Sequence, residues 1–191
     1  TIKGKADHAG TTPMDFRKDS LVGASMIISA IDTLAREAGN GAVATVGMIT
    51  VKPGAFNIVP EEVQFSIDLR CSSNETITFL SSAIQEKLEK VCSSRELGFN
   101  WEERLAVDPV KINDTVIKAF REVAEEKNIS SHIMPSGAGH DAMVMAEIAP
   151  VGMIFVPSRN GKSHCPEEWT DYDKVAKGAE MVLGAILKLA D

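Results

Sequence analysis

The chain has 191 residues, 44% of them hydrophobic and 25% charged, with a formal net charge of −7, a composition that points to a globular chain with a core to bury. The acidic balance argues against a nucleic-acid or membrane surface, since both need clustered Lys and Arg; no nucleic acid and no membrane is expected as a partner. Cys71, Cys92 and Cys165 stand far apart without a CxxC pair, which excludes a disulfide framework and suits a reducing, cytoplasmic setting.

Elements follow in a clear order. Residues 1–11 read as extended. Residues 20–38 carry Ala24, Ile28, Ile31 and Leu34 or Ala35 at helical spacing, with Asp19 as N-cap and Gly39 as stop. Residues 42–51 are rich in β-branched side chains. In 60–70, Val63, Phe65, Ile67 and Leu69 alternate with Gln64, Ser66, Asp68 and Arg70, so the two segments predict an antiparallel hairpin. Its connection, "KPGAFNIVP", is long for a hairpin, and long loops are often functional. A second helix is expected from a cap at Asn74 through Ile77, Leu80, Ile84, Leu88 and Val91, and a fourth strand within 100–109. Strand, helix, strand, strand, helix, strand is the order of a ferredoxin-like βαββαβ sandwich over residues 1–113.

From residue 114 the pattern changes to that of an α/β segment. It predicts a helix over 114–127, a short strand near 131–135, the loop "PSGAGHDA", a short helix, and a strand over 151–157. A polar loop and a closing helix follow, the helix with Val175, Ala179, Val182, Ile186 and Leu189 as its apolar stripe. "VGMIFVP" reads as a strand buried on both faces, which belongs to a parallel sheet. Two strands cannot cover such a sheet, so 114–191 is expected to be the last part of a larger α/β domain.

Four stretches could carry chemistry. His164 in "GKSHCPEE" stands in a loop at a strand's carboxyl end, placed for a metal or a substrate, with Glu167 and Glu168 able to orient its ring; otherwise it is a surface histidine. His8, at a strand end before Gly10 and two threonines, is either an oxyanion donor or a turn histidine held by Thr11 or Asp15. Asn57 and Arg70 could hold a carboxylate, although Arg70 could equally pair with Asp68 on its own face. "PSGAGHDA" lets backbone N–H groups approach a ligand, and His140 with Asp141 could form a local cap.

Together "GKADHAGTTPMDFRKD", "KPGAFNIVPEEVQFSIDLR", "PSGAGHDA" and "GMIFVPSRNGKSHCPEEWT" resemble, in that order, the hydantoinase/carbamoylase branch of dinuclear-metal amidohydrolases, relatives of zinc carboxypeptidases. This group includes N-carbamoyl-L-amino acid hydrolases, allantoate amidohydrolases and β-ureidopropionases. The resemblance implies a ferredoxin-like lid or dimerisation domain, a homodimer built through it, and a zinc-peptidase-like catalytic domain. It implies that His164 is a metal ligand and that His8 polarises the scissile carbonyl in the neighbouring subunit. Asn57 and Arg70 would hold the substrate carboxylate, with Ser136, Gly139 and His140 lining the pocket and Asp141 supporting them.

By the same resemblance, the complete enzyme would use two divalent ions, Zn, Mn, Co or Ni, to hydrolyse a carbamoyl or ureido C–N bond. The remaining ligands and the general base would lie in a preceding segment, so this portion by itself is expected to be inactive and to bind no metal stably. The competing expectation is a ferredoxin-like dimerisation or ligand-binding module without catalytic duty.

Overall fold

The computed structural model describes residues 1–190. The chain divides into two compact units, Thr1–Pro109 and a second that starts at Val110.

The first unit contains β1 (Ile2–Lys3), β2 (Asp7–His8), α1 (Ser20–Ala38), β3 (Val43–Thr45), β4 (Ile49–Lys52), β5 (Ile58–Val59), β6 (Glu62–Phe65), β7 (Asp68–Arg70), α2 (Asn74–Ser94) and β8 (Gly98–Phe99). Asp19 caps α1: its carboxylate accepts the Leu21 and Val22 N–H groups at 2.9 and 3.1 Å, which satisfies two of the donors that a helix start leaves open. At the other end Gly39 turns the chain out with φ +64°, a backbone that glycine adopts without strain. The cap of α2 is Ser73, one residue before the expected Asn74. Its hydroxyl accepts from Thr76 N–H at 3.2 Å, while the Asn74 amide reaches Asp108 at 2.9 Å instead.

Four strands form an antiparallel sheet in the order β4-β6-β1-β8. The expected hairpin is present but interrupted. Ile49 faces Phe65 on one side of the break and Thr45 faces Asp68 on the other, so Val46, Gly47 and Met48 stand opposite only Ser66 and Ile67. The extra residue makes a bulge, and a bulge reverses which side chains point inward. Ala42, Ala44 and Val46 accordingly lie half-buried, whereas beyond the break Ile49 is exposed and Val51 turns in. Met48 N–H donates to the Ser66 hydroxyl, and Ser66 N–H donates to the Met48 carbonyl, both at 3.1 Å, so the arms stay joined.

The core lies between the helices and the sheet. Ala24, Ile27, Ile31 and Ala35 of α1 meet Leu80, Ile84, Leu88 and Val91 of α2 over Ile2 and Val63. The inward face of α1 is thus centred on Ile27 rather than on Ile28, which is half-buried. The fourth strand is β8, before the expected 100–109: Phe99 and Gly98 pair with Ile2 and Lys3, and the Asn100 N–H still reaches the Thr1 carbonyl at 2.8 Å.

In the second unit α3 (Asp114–Glu126), capped by Asn113, packs on α5 (Tyr172–Ala190), with the short α4 (Asp141–Met145) between them in sequence. Val123 and Ala124 meet Met181, and a Cβ at Gly184 would lie 2.7 Å from Val123 Cγ1, so only glycine allows this approach. Two expectations are corrected. Residues 131–135 and 151–157 form no strands, since neither has a laddered neighbour among the described residues, and a strand exists only through its partner's hydrogen bonds. The buried face of α5 is Gly178, Met181 and Ala185, whereas Val175, Val182, Ile186 and Leu189 of the expected stripe are exposed.

Candidate active site

His8 ends β2, which pairs with β5: Asp7 faces Val59 and His8 faces Ile58. The next residue, Ala9, donates its N–H to the Asn57 carbonyl at 3.0 Å. The backbones of His8 and Asn57, far apart in sequence, are thus brought together, and both residues are exposed. Asn57 is held by a tight turn, with Ile58 N–H donating to the Ala55 carbonyl at 3.4 Å. Phe56, on the same turn, is fully exposed at 101%.

The His8 turn is held by backbone hydrogen bonds and by the Arg17 guanidinium, which donates to the Thr12 and Ala9 carbonyls at 2.9 and 2.6 Å, rather than by the threonine hydroxyls or Asp15. Thr11 and Thr12 N–H groups donate to the His8 carbonyl at 3.3 and 3.1 Å. Gly10 N–H donates to the imidazole Nδ1 at 2.9 Å. A neutral imidazole that accepts at one nitrogen carries its proton on the other, so Nε2 is the donor that faces outward.

Arg70 belongs to a different strand pair, β3 with β7, where it faces Val43. Its guanidinium makes a two-point contact with Asp68, Nε to Oδ1 at 2.9 Å and Nη2 to Oδ2 at 2.7 Å. That hydrogen bond holds the Asp68 carboxyl below its usual range and raises Arg70 further. The fork is a carboxylate clamp by geometry; in this chain its present occupant is Asp68.

In the second unit, the Ser136 hydroxyl turns back on its own loop, accepting from Ala138 N–H at 3.2 Å and donating to the Ala138 carbonyl at 3.1 Å. Gly139 has open space where a Cβ would stand. His140 precedes α4, makes no cap with its side chain, and lies 5.8 Å, ring to ring, from Phe155. A shallow groove lined by Arg121, Glu125, Asn128 and His132 includes none of these residues.

His164 is exposed and takes a left-handed backbone, φ +58°, a region that histidine visits more readily than bulkier residues. The neighbouring carboxylates do not orient its ring. Glu168 accepts the backbone N–H of His164 at 2.9 Å and the Ser163 hydroxyl at 3.4 Å, and Glu167 pairs with Lys162 at 3.6 Å. Arg159 and the Trp169 indole both reach Asp171, at 2.9 and 3.1 Å, and close the loop's far side. The carboxylates shape the loop, and the imidazole is left projecting from it.

No three His, Cys, Asp or Glu side chains among the described residues come together as a metal site. His164 therefore fits a metal only as one ligand among others that this chain does not bring to it. No helix among the described residues is long and apolar enough to cross a membrane.

Residues 15–188 match the Peptidase family M20/M25/M40, and the chain belongs to that family. It is 43% identical over 190 residues to an N-carbamoyl-L-amino-acid amidohydrolase of Paenarthrobacter aurescens, covering 100% of this chain and 46% of that protein. To an allantoate amidohydrolase of Escherichia coli it is 31% identical over 190 residues, with the same two coverages, 100% and 46%. Among solved structures, an amidase of the hydantoinase/carbamoylase family from Burkholderia multivorans superposes with a TM-score of 0.92 at 32% identity, over 98% of this chain and 46% of that one. The chain spans about half the length of the curated relatives it matches.

Proposed function

We propose that this chain is the lid and the C-terminal part of the catalytic domain of a metal-dependent amidohydrolase that cleaves a carbamoyl or ureido C–N bond of N-carbamoyl-L-amino acids or allantoate. The observation that carries the reading is the pairing of β2 with β5, which brings His8, its Nδ1 engaged by the Gly10 N–H, to the same short stretch of the fold as the exposed Asn57 turn. The names of the relatives give the substrate class. The strand order β4-β6-β1-β8 with both helices packed together supports a ferredoxin-like lid.

In the assembled enzyme, a homodimer through this lid in the cytoplasm, His8 donates from Nε2 to the carbonyl oxygen of a substrate in the partner subunit as negative charge develops there. Asn57 and Arg70 hold the substrate's carboxylate, Arg70 by exchanging Asp68 for it. Ser136, Gly139 and His140 line the pocket. His164 contributes one ligand to a centre of two divalent ions, Zn, Mn, Co or Ni, whose general chemistry is Lewis-acid assistance to hydrolysis. The chain alone is inactive on this reading, because one ligand does not hold a metal.

The test is His8→Ala in the full-length protein, assayed on N-carbamoyl-L-amino acids and allantoate. Turnover should fall by about 10²–10³-fold, the usual loss for an oxyanion donor, with metal content unchanged. Full turnover, or loss of metal, overturns the assignment; a wild-type protein inert on both substrates favours a dimerisation module without catalytic duty.

A further inference from the structure

We propose that Arg17 and Gly10 form a device that sets the tautomer and aim of His8, which makes Arg17 a positioning residue for that histidine. The inference deepens the reading of His8 as an oxyanion donor and rests on it for its functional value, but the device can be observed without any activity.

The argument runs through two peptide planes. A trans peptide fixes its C=O and N–H in one plane, pointing opposite ways. In the Ala9–Gly10 peptide the N–H donates to His8 Nδ1 at 2.9 Å, and the carbonyl accepts from Arg17 Nη2 at 2.6 Å. Pinning the oxygen therefore aims the hydrogen. The short bond to a cation also polarises the amide and makes its N–H a better donor. In the His8–Ala9 peptide the N–H is fixed by the Asn57 carbonyl at 3.0 Å, and the His8 oxygen by the N–H groups of Thr11 and Thr12. Both planes that flank Ala9 are thus held at both ends.

Arg17 has a second grip: its Nε donates to the Thr12 carbonyl at 2.9 Å. One planar fork spans the start and the end of the turn, a geometry that lysine cannot reproduce with a single ammonium. Gly10 completes the device by what it lacks. A Cβ there would stand 3.2 Å from His8 Cε1 and 3.4 Å from Nδ1, tight enough to ask the ring to shift by a few tenths of an ångström and so to lengthen its bond to the amide. With Nδ1 committed as acceptor, the neutral ring presents Nε2–H outward, the form an oxyanion donor needs.

Nitrogen-15 spectroscopy of the 191-residue chain tests this directly. At a pH where the His8 ring is neutral, a through-bond coupling between the Gly10 amide nitrogen and His8 Nδ1 is expected, with the ring proton on Nε2. Arg17→Met should abolish the coupling and speed Gly10 amide exchange roughly five-fold, the worth of about one net hydrogen bond. Arg17→Lys should recover part of both. Gly10→Ala keeps the N–H and both Arg17 bonds, and it too should weaken the coupling. Amide protection in α1 and α2 should stay at the wild-type level in all three variants.

A ring protonated on Nδ1, or a coupling that survives Arg17→Met, overturns the proposal. In the full-length enzyme Arg17→Met should lower kcat while leaving KM near wild type. If His8→Ala proves harmless there, the functional reading falls while the spectroscopic result for the device stands.

Discussion

The two units of this chain differ in how much apolar surface they bury, although both leave large apolar side chains exposed, Phe56 and Leu105 in the first among them. In the first, twelve buried residues, from Ile2 through Leu97, form one cluster between two helices and a sheet, enough to hold a domain of that length together. In the second, the buried cluster is Val123, Ala124 and Met181, while Val182, Leu183, Ile186 and Leu187 on α5 and Ile148 and Phe155 before it stay exposed. A unit that leaves so much apolar surface in water gains little from burial. The first unit is built to be stable by itself; on the proposed function, the rest of the catalytic domain covers the second. The candidate residues follow the same division: His8 ends a paired strand and Asn57 stands in the tight turn that leads into that strand's partner, whereas His164 projects from a loop shaped by carboxylates.

The largest effect that separates the units is in the core. Ile84→Ala removes a fully buried side chain from the α1–α2 contact and should cost about 2–5 kcal/mol. Ile186→Ala, on the exposed side of α5, should change stability by no more than about 0.5 kcal/mol. Trp101 packs on the first core and Trp169 lies in the second unit, so single-tryptophan variants report each unit's unfolding separately in a denaturant titration. Trp101 should report the later transition. Equal losses for the two substitutions, or a Trp169 transition that comes last, would break the comparison.

Local signals made much of the first unit readable. Asp19 and Gly39 mark the ends of α1 because capping chemistry is confined to a few neighbouring residues. The alternation from Val63 to Leu69 shows which face turns inward for the same reason. What pairing decides was not readable. The bulge at Val46–Met48 leaves the facing arm's alternation uninterrupted, so no pattern in that arm announces it. Residues 151–157 have a buried strand's composition, but a strand also needs a neighbour to ladder with, and none stands there among the described residues.

The site divides likewise. His8, Asn57, Arg70 and His164 were legible as chemical types in suggestive loops, and their motifs as a family resemblance. The bond from Arg17 to the Ala9 carbonyl was not, because every residue carries a carbonyl and nothing in the sequence marks the one that is used.

A second difference between the units concerns alkaline pH. Cys92 is buried in the first core, and burial pushes its thiol up, since the thiolate is poorly solvated there. The unfolded chain loses this proton in the ordinary thiol range, while the folded unit keeps it. Stability from this residue is thus complete below the ordinary thiol value and declines as pH rises from there towards the raised folded value. The Trp101 transition should move to lower denaturant over that window, and Cys92→Ala should flatten the pH dependence, lowering stability most below the ordinary thiol value and drawing closer to the wild type as pH rises above it. A wild-type slope that persists in Cys92→Ala would assign the effect to another group.

The smallest effect tests the clamp at Arg70. Asp68 and Arg70 are each about half exposed, at 51% and 49%, and water screens such a pair to about 0.2–1 kcal/mol. Because Arg70 lowers the Asp68 carboxyl, the pair's contribution is present above the ordinary aspartate value and is lost as pH falls through the lower folded one. Asp68 is therefore ionised throughout the neutral range and competes with any incoming carboxylate for the same fork. Asp68→Asn removes that competitor's charge at a stability cost within the same small range. In the full-length protein it should lower KM for a carboxylate substrate and leave kcat unchanged, whereas Arg70→Lys, which loses the fork, should raise KM. A higher KM in Asp68→Asn would mean that Asp68 holds the guanidinium in its working orientation rather than competing for it.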